Sequence, residues 1–480
     1  MLNGDNQATF RPGGREEVEL SPCTSRPHSN HPGDDYYFPG AQNNLNEVAA
    51  PEPIFDATEK PVRSQKYLDN MRSRNSEDFT PVAEQAVSDH GRPNLERTAS
   101  RKRHQRTTLR TKIFIISYLI LFSTLGTLTR VVIETLTFYP GTPVTTSALW
   151  ANFAGSLIMG FLSEDHELFR SGAVQTSTTN SETMIVQVRK AHVTTHKKTV
   201  PLFIGLTTGY CGCLTSYSSF MLDAFLAISD TLPAPLGPYA ELSQFQDGPR
   251  SIARTPNGGF RVMALLAVMI TEIGLSMVAL FVGAHLAILT ASWMPTIRSR
   301  ILRKGLDPLV MILAPLQWVV IICLAILLPR YSTHNTLWSA DVWRSQRLYA
   351  LAFAPVGCLL RFFISMKLNR QIPAFPLGTF VVNISGTMIL GIAFSLQHAP
   401  LASSGLGGGS YAGCQILQGV MDGFCGCLTT VSTWILELSD TRRRHAYIYG
   451  SATVAVAFAL LVVEIGSLKW SRGFSAPACF

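Results

Sequence analysis

The sequence predicts an all-α membrane protein made of two inverted four-helix repeats and a single linking transmembrane helix, nine spans in all, with broken helices where the repeats meet. Three observations predict it. Only 15% of residues are charged, mean hydropathy is +0.20, and the apolar residues lie in long blocks between short charged loops, the distribution of a bilayer-spanning chain. One set of motifs occurs twice in the same order. One further span stands between the two sets, and one extra crossing turns the second set upside down relative to the first.

Residues 1–110 are rich in Asn, Pro, Gly, Ser, Arg and acids and lack an apolar period. They are expected to form a disordered cytoplasmic tail. It ends on Arg101-Lys102-Arg103-His104-Gln105-Arg106, read as an anchor at the cytoplasmic end of the first span. The first repeat, 111–290, holds spans at 113–138, 144–163, 201–229 and 262–289. A linker, 291–345, carries the fifth span at 308–329. The second repeat, 346–468, holds spans at 347–366, 375–396, 412–438 and 446–468, and a short tail, 469–480, ends the chain. The third and eighth spans are Gly-rich and polar at their centres.

The formal charge of +8 does not point to nucleic acid, because the basic clusters abut apolar spans. With nine alternating spans, Arg110 and Lys112, the loop holding Lys197 and Lys198, that holding Arg303 and Lys304, Lys367 with Arg370, and Arg442-Arg443-Arg444 all fall on one side. That side is cytoplasmic, so the N-terminus is expected inside and the C-terminus outside. The loop at 230–261 carries Arg250, Arg254 and Arg261 against this bias. Nine cysteines show no CxxC pair and read as small apolar packers rather than metal ligands or disulfides.

The repeat is explicit. Gly126-Thr127-Leu128-Thr129-Arg130 matches Gly357-Cys358-Leu359-Leu360-Arg361, and Asn152-Phe153-Ala154-Gly155 matches Asn383-Ile384-Ser385-Gly386, both with an offset of 231 (361 − 130; 383 − 152). Gly209-Tyr210-Cys211-Gly212-Cys213-Leu214-Thr215-Ser216-Tyr217-Ser218-Ser219-Phe220 matches Gly423-Phe424-Cys425-Gly426-Cys427-Leu428-Thr429-Thr430-Val431-Ser432-Thr433-Trp434 with an offset of 214 (423 − 209). Asp223 and Glu437 follow at equal distance.

Glycines and hydroxyls in mid-span weaken a helix and predict a break. At membrane depth a break is tolerated only inside protein or along a wet cavity, where freed carbonyls can hold a cation and freed N–H groups can face an anion. Asn152 and Asn383 lie in apolar spans, as pore donors or as interhelical glue. Arg130 and Arg361 either line a vestibule that attracts anions or snorkel to the interface. Glu272 is the one carboxylate in span four that a proton-coupled carrier could use. No Walker loop, GxSxG or HExxH is present, so no enzyme is indicated.

At the span-three motif the chain resembles the CrcB/Fluc fluoride channel family, over about residues 113–468, and most of all its fused two-domain fungal export form. The resemblance implies a passive, fluoride-selective channel, and fluoride resistance at the plasma membrane if that is its location. It implies a structural sodium ion held by backbone carbonyls of Gly212, Thr215, Gly426 and Thr429. It implies a fluoride path along Asn152 and Asn383, the ring positions Tyr217, Phe220, Val431 and Trp434, and the hydroxyls of Ser216, Ser218, Thr430, Ser432, Thr379, Tyr447 and Ser451. The implied partners are fluoride and the lipid bilayer, with the single chain standing for a dimer of four-span subunits. Val431 offers no ring edge, and Ala148 stands where Thr379 does in the second copy. One conducting and one degenerate pathway are therefore expected. The alternative is a proton- or sodium-coupled small-solute carrier with inverted repeats.

Overall fold

The computed structural model of the chain describes residues 93–137, 146–165, 199–232, 258–295, 302–327, 340–372, 374–399 and 411–475, with a few isolated positions between them. The described residues are nearly all helical. In chain order the helices are α1 (Pro93–Thr137), α2 (Leu149–Glu164), α3 (Pro201–Ile204, continuing as a π-helix over Gly205–Cys211 and a turn Gly212–Leu214), α4 (Tyr217–Ile228), α5 (Gly258–Thr290), the linking α6 (Asp307–Leu327), α7 (Ala340–Leu368), α8 (Leu377–His398), α9 (Tyr411–Gly419, then a π-helix over Val420–Cys425 and a turn Gly426–Leu428), α10 (Ser432–Asp440) and α11 (Arg443–Ser471).

Taken as continuous units, eight of these segments are long and apolar enough to cross a membrane. The ninth expected span is α2, whose 16 residues rise about 24 Å and fall short of the hydrocarbon thickness. The expected tail differs at its end. Residues 1–92 lie outside the described residues, but helix begins at Pro93 and runs unbroken into the first span. The Arg, Lys and Gln of that stretch are good helix formers and give no stop signal.

Small residues bring the helices together. In the first repeat α2 packs along α5. A Cβ at Gly160 would strike the Leu280 carbonyl, and one at Gly283 the Leu157 carbonyl, so only glycine permits this approach. The linking helix is stitched to the first helix of each repeat. Tyr118 donates to Asp307 (3.0 Å), Gln317 to Thr124 (2.7 Å) and Trp318 to the Ala352 carbonyl (2.9 Å). Its other face, with Leu309, Ile312, Leu316 and Val319, is exposed, as a lipid-facing surface should be.

Among the described residues Cys211, Cys213, Cys358, Cys425 and Cys427 are buried and free, as expected. Cys414 departs from that reading: it is disulfide-bonded, to a partner outside the described residues. A lone cysteine at the start of an apolar segment carries no spacing signal, so the sequence could not show it.

Candidate functional site at the seam between the repeats

Both predicted breaks are present, and they face one another. After its π-turn, α3 stops at Thr215, whose backbone is extended (φ −92°, ψ 147°), and α9 stops at Thr429 in the same conformation (φ −92°, ψ 160°). The chain then restarts as α4 and α10. A restart leaves unpaired N–H groups, and at both restarts some of them are served from the opposite repeat. The Thr215 hydroxyl accepts from the N–H of Val431 and of Ser432, both at 3.2 Å, and the Thr429 hydroxyl accepts from the N–H of Ser218 at 3.1 Å. Around them Thr215 meets the Thr430 and Ser432 hydroxyls at 3.2 and 3.1 Å, and Thr429 meets that of Ser218 at 3.1 Å. The two breaks are a single interlocked unit.

The asparagines hold the breaks within each repeat. The Asn152 side chain accepts from the Ser216 N–H (2.8 Å), and that of Asn383 accepts from the Thr430 N–H (2.9 Å). Each also donates to the carbonyl of that same residue, Asn383 to that of Thr430 (3.2 Å) and Asn152 to that of Ser216 (3.5 Å), but Asn152 donates in addition to the Glu272 carboxyl at 3.0 Å. Glu272 and Asn152 are fully buried, and one Glu272 oxygen has no partner. On the other side the buried carboxylate is Glu437, which is better served: it accepts from Thr379 (2.7 Å), Tyr449 (2.8 Å) and Asn369 (3.5 Å). Its repeat mate Asp223 accepts from the backbone N–H (3.1 Å) and hydroxyl of Ser147, just before α2.

The ring positions gather beside the breaks. Tyr217, Phe220, Val431 and Trp434 are all buried. Tyr217 meets Phe220 and Trp434 edge-on, with ring centres 5.7 and 5.2 Å apart. The Tyr217 hydroxyl and the Trp434 indole nitrogen are buried with no hydrogen-bond partner. Such an orphaned donor costs about 1–3 kcal/mol, and the two rings that carry these donors are in edge contact.

Three expectations need correction. Tyr447 is 76% exposed and Ser451 is exposed as well. The inward positions are Tyr449 and Thr453, both fully buried. A slip of two residues turns a helix face by about 200°, and α11 is apolar on both faces, so its pattern does not fix the register. Secondly, Arg130 and Arg361 neither snorkel nor line a vestibule: they are 2% and 3% exposed. The open cavity between the repeats, of about 310 Å³, is lined instead by Glu134, Asp223 and Asp422 among others. Each arginine crosses the seam. Arg361 donates to the carbonyls of Gly212 (2.6 Å) and Thr208 in the first repeat and of Thr429 (3.1 Å) in its own. Arg130 donates to the Asp422 carbonyl of the second repeat. Thr208 and Asp422 are repeat mates, with the same offset of 214 (422 − 208).

The third correction concerns sodium. Two of its four expected ligands, the Gly212 and Thr429 carbonyls, are hydrogen-bonded to Arg361. A metal ion held by those carbonyls would have to share them with the guanidinium, whose like charge would repel it. The carbonyl set does not fit a separate metal ion.

Two inverted repeats locked together at broken helices, with buried donors at their seam, define an integral membrane protein of the transport class. The chain belongs to the family of CrcB-like proteins, described as Camphor Resistance (CrcB), which matches residues 117–243 and again 348–466. It is 41% identical to fluoride export protein 1 of Neurospora crassa over 90% of this chain and 83% of that one, and 33% identical to fluoride export protein 1 of Candida albicans over 72% and 78%. It is also 32% identical to the fluoride-specific ion channel FluC of Acinetobacter baylyi, over 24% of this chain and 86% of that one. No solved structure matches the chain significantly.

Proposed function

We propose that the chain is a passive, fluoride-selective channel that exports fluoride across the plasma membrane. Its N-terminus is cytoplasmic, its C-terminus extracellular, and one chain suffices for the pore. The observation that carries this reading is the pair of orphaned donors, Tyr217 Oη and Trp434 Nε1, beside the interlocked breaks. Fluoride is small and tightly hydrated, so a selective path must offer it donors in place of water. Hydroxyl and indole donors do this more strongly than the ring edges that the family resemblance supplies. The names of the relatives, fluoride export protein and fluoride-specific ion channel, support the same substrate.

Of the two pathways, the one beside Asn383 conducts. There the asparagine donates to a neutral carbonyl, and Glu437 is surrounded by donors. Beside Asn152 the amide donates to the Glu272 carboxyl as well as to the Ser216 carbonyl, and one Glu272 oxygen is left without a donor, so less of that side's donor capacity is free for an anion. A coupled carrier would rest on Glu272 alone, and no relative's name supports it. Export needs no coupled ion, because a negative interior drives an anion outward with about 2.3 kcal/mol per 100 mV, a concentration ratio of about fifty.

The test is fluoride-electrode efflux from liposomes holding the purified protein. Flux should follow membrane potential and ignore a proton gradient imposed at fixed voltage. Trp434→Phe should slow efflux at least tenfold. Flux that tracks the proton gradient, or a Trp434→Phe protein with unchanged efflux, refutes the reading.

A further inference from the structure

The environment of Arg361 is that of a bound cation. Its acceptors are backbone carbonyls drawn from both repeats: Thr208 and Gly212 from the first, Thr429 from the second. Two soft acceptors add to the shell, Cys213 Sγ at 3.5 Å and Cys358 Sγ at 3.8 Å, and Nε is left without a partner. Among the described residues no carboxylate lies within ion-pair distance of it. A buried charge without a counter-ion persists only where dipoles replace its water, and a ring of carbonyls is how a protein holds a bare monovalent ion.

The seam is shaped for this group. A Cβ at Gly212 would collide with the Arg361 guanidinium, and a Cβ at its repeat mate Gly426 would collide with that of Arg130. Each glycine therefore lets the opposite repeat's arginine lie on the backbone of the turn. The two sides are unequal. Each arginine leaves one nitrogen without a partner, but Arg130 reaches a single carbonyl, that of Asp422, and has Glu134 at 3.9 Å on its own helix.

We propose that the Arg361 guanidinium is the resident cation of the repeat interface, clamping the two broken helices in place of a metal ion. The clamp is tethered to α7, so it cannot dissociate, and it draws on ligands from both halves. This inference is independent of the transported substrate.

The test reads stability. Purified full-length protein is melted by intrinsic tryptophan fluorescence in sodium chloride, and in N-methyl-D-glucamine chloride at equal ionic strength. The wild-type midpoint should be the same in both. Arg361→Met should melt several degrees lower in the organic cation and recover part of that loss as sodium rises, because the vacated carbonyls then accept the metal. Arg361→Lys, which keeps the charge, should restore insensitivity to sodium. A wild-type midpoint that rises saturably with sodium overturns the proposal, and so does an Arg361→Met protein as stable as wild type or indifferent to sodium. If Arg361→Met fails to fold, the wild-type titration decides alone.

Discussion

The sharpest consequence of the structure is that two equivalent substitutions should have unequal effects. Asn383→Asp keeps the oxygen that accepts from the Thr430 N–H at 2.9 Å. It replaces the donor 3.2 Å from the Thr430 carbonyl with a second oxygen and adds a charge to the path. A passing anion about 4 Å away meets a repulsion of about 4 kcal/mol at an effective dielectric of 20, or about three decades in rate. Asn152→Asp places the same charge beside Glu272, which is 3.0 Å from the amide nitrogen. Glu437 on the other side is served by three donors, whereas Glu272 has Asn152 alone and an orphaned oxygen, so a second carboxyl beside it lowers stability and leaves flux per folded protein within about tenfold. Efflux would be measured with a fluoride electrode on liposomes loaded with equal amounts of monodisperse protein. Equal loss in both variants would refute the single-pathway argument, and a greater loss in Asn152→Asp would reverse the assignment.

Three other outcomes follow from the same geometry. Gly283→Val should lower the unfolding midpoint, because its side chain enters the space of the Leu157 carbonyl and overpacking costs about 1–3 kcal/mol. Asp223→Ala removes the acceptor of the Ser147 N–H at 3.1 Å and should cost about 1 kcal/mol as a lost cap, read by thermal melting, with less effect on the rate of efflux than Asn383→Asp. Deleting residues 1–92 should leave efflux at its full rate in liposomes, since the described helices hold both breaks without that segment.

The architecture was legible in the sequence because it is written in periodicity and repetition. Each of the nine apolar blocks is helical in the structure, eight of them long enough to span and α2 shorter, and the offset of 214 marks the two matching breaks. What the sequence hid was orientation about the helix axis. Tyr447 and Tyr449 stand two residues apart in a helix whose lipid side and core side are both apolar, and hydropathy cannot choose between them. It hid long-range pairing too. Arg361 reads as a basic residue late in a span, and only the folded chain brings it to the carbonyls of Thr208 and Gly212, about 150 residues earlier. One signal was available: each arginine follows a repeated glycine by four positions, and each opposite turn carries a glycine, Gly212 or Gly426, where a guanidinium must lie flat. Glu437, Asn369 and Thr453 were missed as buried polar partners for the same reason. A lone polar residue in an apolar span does not disclose what it will meet.

The inequality of the two halves follows from their being one chain. The Acinetobacter baylyi channel aligns over 123 residues, 86% of its own length and 24% of this chain, the length of one repeat. A body made from two such chains carries every substitution twice, so both of its pathways must change together. In a fused chain positions 152 and 383 change independently, and Glu272 can occupy one side while Tyr449 and Thr453 line the other. The seam itself has no such freedom. Thr215 serves α10, Thr429 serves α4, and the orphaned donors come one from each repeat, Tyr217 and Trp434. Selection on a single path can thus let the polar lining of the second decay, while the breaks, the glycines and the crossing arginines must persist in both halves, because each stabilises the repeat opposite its own.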